Sequence, residues 1–135
     1  DLPVSGQVFI SVRDEDKAQL EPIAKGLSEM GFELIATRGT AARIEALGYR
    51  CARVNRVAQG SPHVGDLMRE GGIAAVINTP DASGTADSFS IRRTALERRL
   101  PYFTTMAGAQ AAVEGIRALK TRTFEVRALQ DYHRE

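Results

Sequence analysis

One cysteine, Cys51, stands in the whole chain. That excludes an internal disulfide, and it excludes a zinc or iron–sulfur site built on a Cys cluster. A reducing compartment suits such usage, and Cys51 lies in an apolar run that reads as a packing position rather than a reactive one. Histidine is nearly as scarce. His63 and His133, the latter in the C-terminal tail, form no catalytic set, and no Ser-His-Asp order, paired-carboxylate spacing or zinc motif stands out. His63, after Pro62 at a helix start, reads as structural. Charge of one sign is missing too. Net charge is +1, with 18 basic and 17 acidic residues, so no strong field draws the chain to nucleic acid or an anionic membrane. No run reaches the roughly 18 apolar residues of a membrane span. No segment reads as a signal peptide, internal repeat or low-complexity tract. The absence of a Walker loop and of a Rossmann fingerprint removes the two most common phosphate motifs.

What is present is a soluble-globular balance: 135 residues, 43% apolar and 26% charged. That is enough for one domain with a hydrophobic core. Apolar strands alternate with amphipathic helices. Gln7 to Val12 predicts a first strand. Asp16 to Met30 predicts a helix, with Leu20, Ile23, Ala24, Leu27 and Met30 on one stripe and Gly31 as its stop. Phe32 to Ala36 predicts a strand, Ala41 to Leu47 a helix, Cys51 to Val54 a short strand and Val64 to Arg69 a short helix. Ile73 to Ile77 is the most apolar run and predicts a central strand buried on both faces. Pro80 to Asp87 reads as a loop, Ser88 to Arg99 as a helix and Tyr102-Phe103 as a short strand. Met106 to Leu119 predicts a last helix, with Phe124 to Leu129 a further strand or a docked tail within a C-terminal segment, 121–135. The expectation is a three-layer α/β fold, with a parallel sheet of about five strands flanked by helices.

In such sheets ligands bind beyond the carboxyl ends of the strands, and the polar residues of this chain gather there. Thr37-Arg38-Gly39-Thr40 joins a strand to a helix. Its turn N–H groups, hydroxyls and helix dipole suit an anion; the same residues also serve as an ordinary turn with Thr40 as N-cap. Lys17 after the first strand and Arg56 after the third could each add a cation or remain a solvated charge. Asn78-Thr79 ends the apolar strand, where an amide that donates and accepts can read a base or sugar edge. Asp87, Ser88 and Thr104 are candidates for a second polar pocket, with helix capping the alternative for Asp87 and Ser88. The basic run Arg92-Arg93 and Arg98-Arg99 reads as a solvated face or an interface with another domain.

Several segments resemble the C-terminal regulatory domain of the carbamoyl-phosphate synthase large subunit. They are Ile10 to Lys17, Gly31 to Ala41, Val54 to Val57, Gly60 to Val64, Val76 to Thr79, Ile91 to Leu96 and Pro101 to Thr105. The resemblance spans roughly residues 7 to 120 and implies the methylglyoxal-synthase-like fold. It implies a single regulatory domain, 1–135, cut from the C-terminal part of a much longer cytoplasmic chain. It further implies an allosteric role. In the enteric enzyme UMP inhibits, whereas IMP and ornithine activate. By correspondence the nucleotide site falls on Lys17, Thr37, Gly39, Thr40, Arg56, Asn78, Thr79 and Ser88, and this domain's share of the ornithine site on Asp87 and Thr104. Arg56 stands where the family has a lysine, and Pro80 where it has a threonine. No metal or cofactor is implied in this domain; the parent implies ATP with Mg or Mn. Implied partners are the nucleotide effectors, ornithine, the rest of the large subunit and the glutaminase small subunit, with homo-oligomerisation left open. Methylglyoxal synthase itself is a weaker match. Ser61 replaces its catalytic aspartate, and its catalytic histidine is missing from 80–87. The Gly-Arg-Val-Lys-Thr-Leu-His-Pro signature of IMP cyclohydrolase is absent.

Overall fold

The computed structural model describes residues 3, 5–54, 64–79 and 85–133, with the side chains of 85–89 and 123–133 outside the description. Among the described residues, five strands form one sheet: β1 (Gln7–Val12), β2 (Glu33–Ala36), β3 (Ala52–Arg53), β4 (Ile73–Thr79) and β5 (Tyr102–Phe103). Their order is β3-β2-β1-β4-β5, and every pairing is parallel. The helices are α1 (Leu20–Glu29), α2 (Arg38–Ala46), α3 (Val64–Glu70), α4 (Thr85–Glu97) and α5 (Met106–His133). The expected three-layer α/β architecture is therefore present. β1 is the middle strand, and β4 lies beside it.

Alternate residues of a strand face opposite sides, and the core divides accordingly. Val8, Ile10 and Val12 of β1 join Leu34, Ala75 and Ile77 beneath α1, α2 and α5, with Leu20, Ile23, Ala41, Ile44, Ala109 and Val113. Phe9, Ile35, Ile73 and Val76 face the other way, against Val64 and Met68 of α3 and Ile91 and Ala95 of α4. Lys120 of α5 donates to the Met30 carbonyl at 2.8 Å and lies 5.6 Å from the Phe32 ring centroid. Its ammonium thus ties α5 to the turn that ends α1.

Several boundaries differ from expectation. Asp14–Gln19 forms a 3-10 segment, and α1 begins only at Leu20. Pro22 explains the break. It has no N–H to give residue 18, and it is tolerated only in a helix's first turn. β4 runs to Thr79, so Asn78 and Thr79 belong to the strand itself. α2 begins at Arg38 with Thr37 as N-cap, so Thr40 is not the capping residue. α4 begins at Thr85, which places Asp87 and Ser88 within the helix rather than ahead of it. The segment Phe124 to Leu129 is helical and continues α5, not a strand. Its alternation Phe-Glu-Val-Arg-Ala imitates a strand period. No Gly or Pro separates it from the preceding helix, so the helix propagates.

Candidate functional site

Parallel pairing gathers the carboxyl ends of all five strands on one rim. β1 and β4 meet at the centre, where the strand order changes direction, with Ser11 opposite Asn78 and Val12 opposite Thr79. The backbone leaving β1 is tied to β4. Arg13 N–H donates to the Thr79 carbonyl at 3.2 Å and to Thr79 Oγ1 at 3.0 Å. The chain is thereby aimed into the 3-10 segment that carries Lys17. Arg13 Nε also donates to Asp16 Oδ2 at 2.8 Å, which pairs the largely buried carboxylate of Asp16.

Lys17 returns across the rim to the start of α2. A methyl group built on Gly39 would stand 3.2 Å from Lys17 Nζ. Among the described residues, this ammonium pairs with Asp14 Oδ1 at 2.6 Å, on a side chain that is 88% exposed. Thr37 is the N-cap of α2, yet its side chain makes no capping bond. Its hydroxyl instead donates to Ser11 Oγ at 3.2 Å. The first turn of α2 therefore receives no capping bond from the Thr37 side chain, and a cation lies beside it. That pairing of dipole and ammonium favours an anion.

Thr40 has a structural duty first. Its Oγ1 accepts the Val12 N–H at 3.2 Å in a buried position, 2% exposed. A hydroxyl that accepts in this way still has its own hydrogen to donate. Asn78 is also buried, at 3% exposure, and its Nδ2 donates to Tyr102 Oη at 2.9 Å. Ser11, Thr37, Asn78 and Tyr102 all fall on the face of the sheet that packs α3 and α4, since each shares parity with Phe9, Ile35 or Val76, or pairs with Val76. Together they form a polar row across four strand ends.

Of the residues anticipated for this site, Lys17, Thr37, Gly39, Thr40, Asn78 and Thr79 lie on this rim. Thr104 follows β5 on the same rim and is exposed. Arg56 and Pro80 lie outside the described residues, as do Ser61 and His63. Asp87 and Ser88 are described as backbone of α4 only. Sequence reasoning had not singled out Ser11 or Tyr102. A polar Ser11 inside the apolar run Val8 to Val12 was the available signal. Nothing in the residue order ties Tyr102 to Asn78, because strand register brings them together.

Two other features lie away from the rim chemistry. Cys51 is half-buried. Burial, then the Glu45 carboxylate, pushes its thiol up to about 11, with Arg53 opposing. It is less buried than expected, but its thiol is unactivated, as a packing role requires. Arg92 and Arg93 on α4, and Arg98 and Arg99 in the turn that follows it, are exposed, as is Leu96 at 63% exposure. An open depression of about 550 Å³ there is lined by Ser90, Arg92, Arg93, Leu96 and Glu97. Among the described residues, no group of three or more His, Cys, Asp or Glu could hold a metal ion. No described helix is long and apolar enough to cross a membrane.

The family model of the MGS-like domain matches residues 19–104. The chain belongs to that family. It is 50% identical over 135 residues to the carbamoyl phosphate synthase large chain of Brucella suis, covering 99% of this chain and 12% of that protein. It is 45% identical over 136 residues to the carbamoyl phosphate synthase large chain, C-terminal section, of Methanopyrus kandleri, covering 99% of this chain and 25% of that one. The MGS-like domain thus spans about an eighth of the length of the first relative and a quarter of the second. Among solved structures, methylglyoxal synthase from Elizabethkingia anophelis aligns with a TM-score of 0.65 at 22% identity, over 83% of this chain and 79% of that chain. At that identity the likeness establishes the shared fold.

Proposed function

We propose that this MGS-like domain is the allosteric effector-binding module of a glutamine-dependent carbamoyl-phosphate synthase, acting in pyrimidine and arginine biosynthesis in the cytoplasm. It takes nucleoside monophosphates of the UMP and IMP type at the rim and contributes Asp87 and Thr104 to an ornithine site. The domain itself catalyses nothing; the parent chain and its glutaminase partner carry the ligase chemistry. One observation carries the reading: Lys17 Nζ stands over Gly39 at the uncapped start of α2. A dianionic phosphate there meets a compact cation and a helix N-terminus at once, with the Thr37 and Thr40 hydroxyls beside it. Asn78, further along the same rim, meets the nucleoside.

Regulation then follows from differential affinity. An effector shifts the parent's conformational balance only by as much as it prefers one state. Lys17 sits on the 3-10 segment just after β1, and Thr37 and Thr40 at the helix start just after β2, so binding couples to the central strands.

Calorimetric titration of the chain with UMP, IMP and ornithine tests this. Saturable heat with UMP or IMP is expected, and Lys17→Ala should weaken it by about 1.5–3 kcal/mol, the worth of a hydrogen bond to a charged group. Absence of heat for every nucleotide at millimolar concentration contradicts the proposal. Sustained turnover of dihydroxyacetone phosphate would instead make the chain a lyase.

A further inference from the structure

We propose that Tyr102 is a positioning residue for the nucleoside end of the ligand, acting through Asn78; this rests on the effector-binding reading above. Val76 and Tyr102 are paired across β4 and β5, and Asn78 lies two residues beyond Val76 on the same face. The phenol therefore leans along the sheet to the amide, and Asn78 Nδ2 meets Tyr102 Oη at 2.9 Å. Asn78 is 3% exposed, whereas Tyr102 is half-buried and packs on the α3/α4 core.

An asparagine amide reads a ligand edge only if its plane is held. Rotation about its terminal bond is soft, with broad minima. Tyr102 supplies the restraint. A phenol hydroxyl both accepts and donates, so it engages one polar atom of the amide and leaves the other directed away from β5. The ring is anchored on the side away from the ligand by the apolar layer beneath α3 and α4. Tyr102 need not touch the ligand to act. Ser11 and Thr37, hydroxyl to hydroxyl at 3.2 Å, sit on the phosphate side of the same row. The row thus divides into a phosphate half on β2 and β1 and a nucleoside half on β4 and β5.

That division makes the test specific. Tyr102→Phe keeps the ring and its packing and removes only the hydroxyl. UMP and inorganic phosphate are titrated into the wild type, Tyr102→Phe, Asn78→Ala and the double variant, with thermal unfolding measured alongside. The expected result is a UMP dissociation constant about three- to tenfold higher in Tyr102→Phe, the range for one neutral hydrogen bond. Phosphate affinity stays at the wild-type value, and Tyr102→Phe adds nothing once Asn78 is Ala. UMP binding unchanged in Tyr102→Phe overturns the positioning role and leaves the effector reading intact. Equal weakening of UMP and phosphate, or an additive effect in the Asn78→Ala background, also overturns the role. A wild type that binds no UMP overturns the effector reading and the positioning role with it.

Discussion

Gly39→Ala separates what the rim does for folding from what it does for ligand. Among the described residues outside the helix's own backbone, the added methyl would meet Lys17 Nζ at 3.2 Å. That atom is the far end of a flexible side chain whose ion pair with Asp14 is solvated. Moving it costs the fold little, since such exposed pairs are worth about 0–1 kcal/mol. The backbone of Gly39 is ordinary helix, outside the positive-φ positions Gly6, Gly31, Gly48 and Gly71. Alanine there gains helix propensity, up to about 1 kcal/mol over glycine. Thermal unfolding of Gly39→Ala should therefore occur at or above the wild-type temperature. Ligand binding should suffer, because the methyl occupies the space where the ammonium and the uncapped N–H groups converge. Losing one charge-assisted contact costs about 1.5–3 kcal/mol, which is roughly ten- to a hundredfold in UMP affinity by calorimetry. A variant with wild-type affinity would refute the reasoning, since nothing would then bind over Gly39.

Three further outcomes follow from the geometry. Thr40→Ala removes the acceptor of the buried Val12 N–H, so it should destabilise the fold by about 1–3 kcal/mol, read as a lowered melting temperature, while Thr40→Ser should recover most of it; an unchanged Thr40→Ala would show that the bond matters little. Gly26→Ala would place a methyl 2.5 Å from Val113 Cγ1, where α1 crosses α5; overpacking of about 1–3 kcal/mol should exceed the gain in helix propensity, and adding Val113→Ala should restore stability, whereas a stabilised single variant would refute the close crossing. Cys51, raised from 9.0 to about 11 by burial first and by Glu45 second, should alkylate roughly a hundredfold more slowly at pH 8 than an unperturbed thiol, two pKa units being two decades of thiolate. Because its folded pKa is the higher one, the neutral thiol's contribution to stability is present below pH 9.0 and is lost as pH rises through about 11. Alkylation at the rate of a free thiol would contradict that environment.

The strands were the most legible part of the chain. Gln7 to Val12 and Tyr102-Phe103 have the bounds expected of them, because apolar runs bounded by turn residues leave few alternatives. Helix ends were less legible. Pro22 shortens α1 through a missing N–H, a local effect that a periodic stripe does not reveal. α5 overruns its expected end because a growing helix continues where nothing stops it. The rim residues were legible as types: Lys17, Thr37 and Asn78 are polar positions next to strand ends. Their partners were not. Lys17 reaches Gly39 through a 3-10 segment, and Asn78 reaches Tyr102 through strand register. Both depend on geometry that sequence order does not carry. Thr40 illustrates the same point: it was expected as a ligand contact or a helix cap, but Thr37 is the N-cap and the Thr40 hydroxyl also holds the end of β1, a bond that residue order does not show.

The central claim is that an anion-bearing effector sits over the start of α2, on the rim where β1 and β4 part. Backbone amide resonances of the chain, followed during titration with UMP, test it most directly. The account predicts the largest shifts at Arg38, Gly39 and Thr40, with Ser11, Lys17 and Asn78 next and the exposed face of α4 unmoved. Shifts centred on α4, or none at saturating UMP, would contradict it.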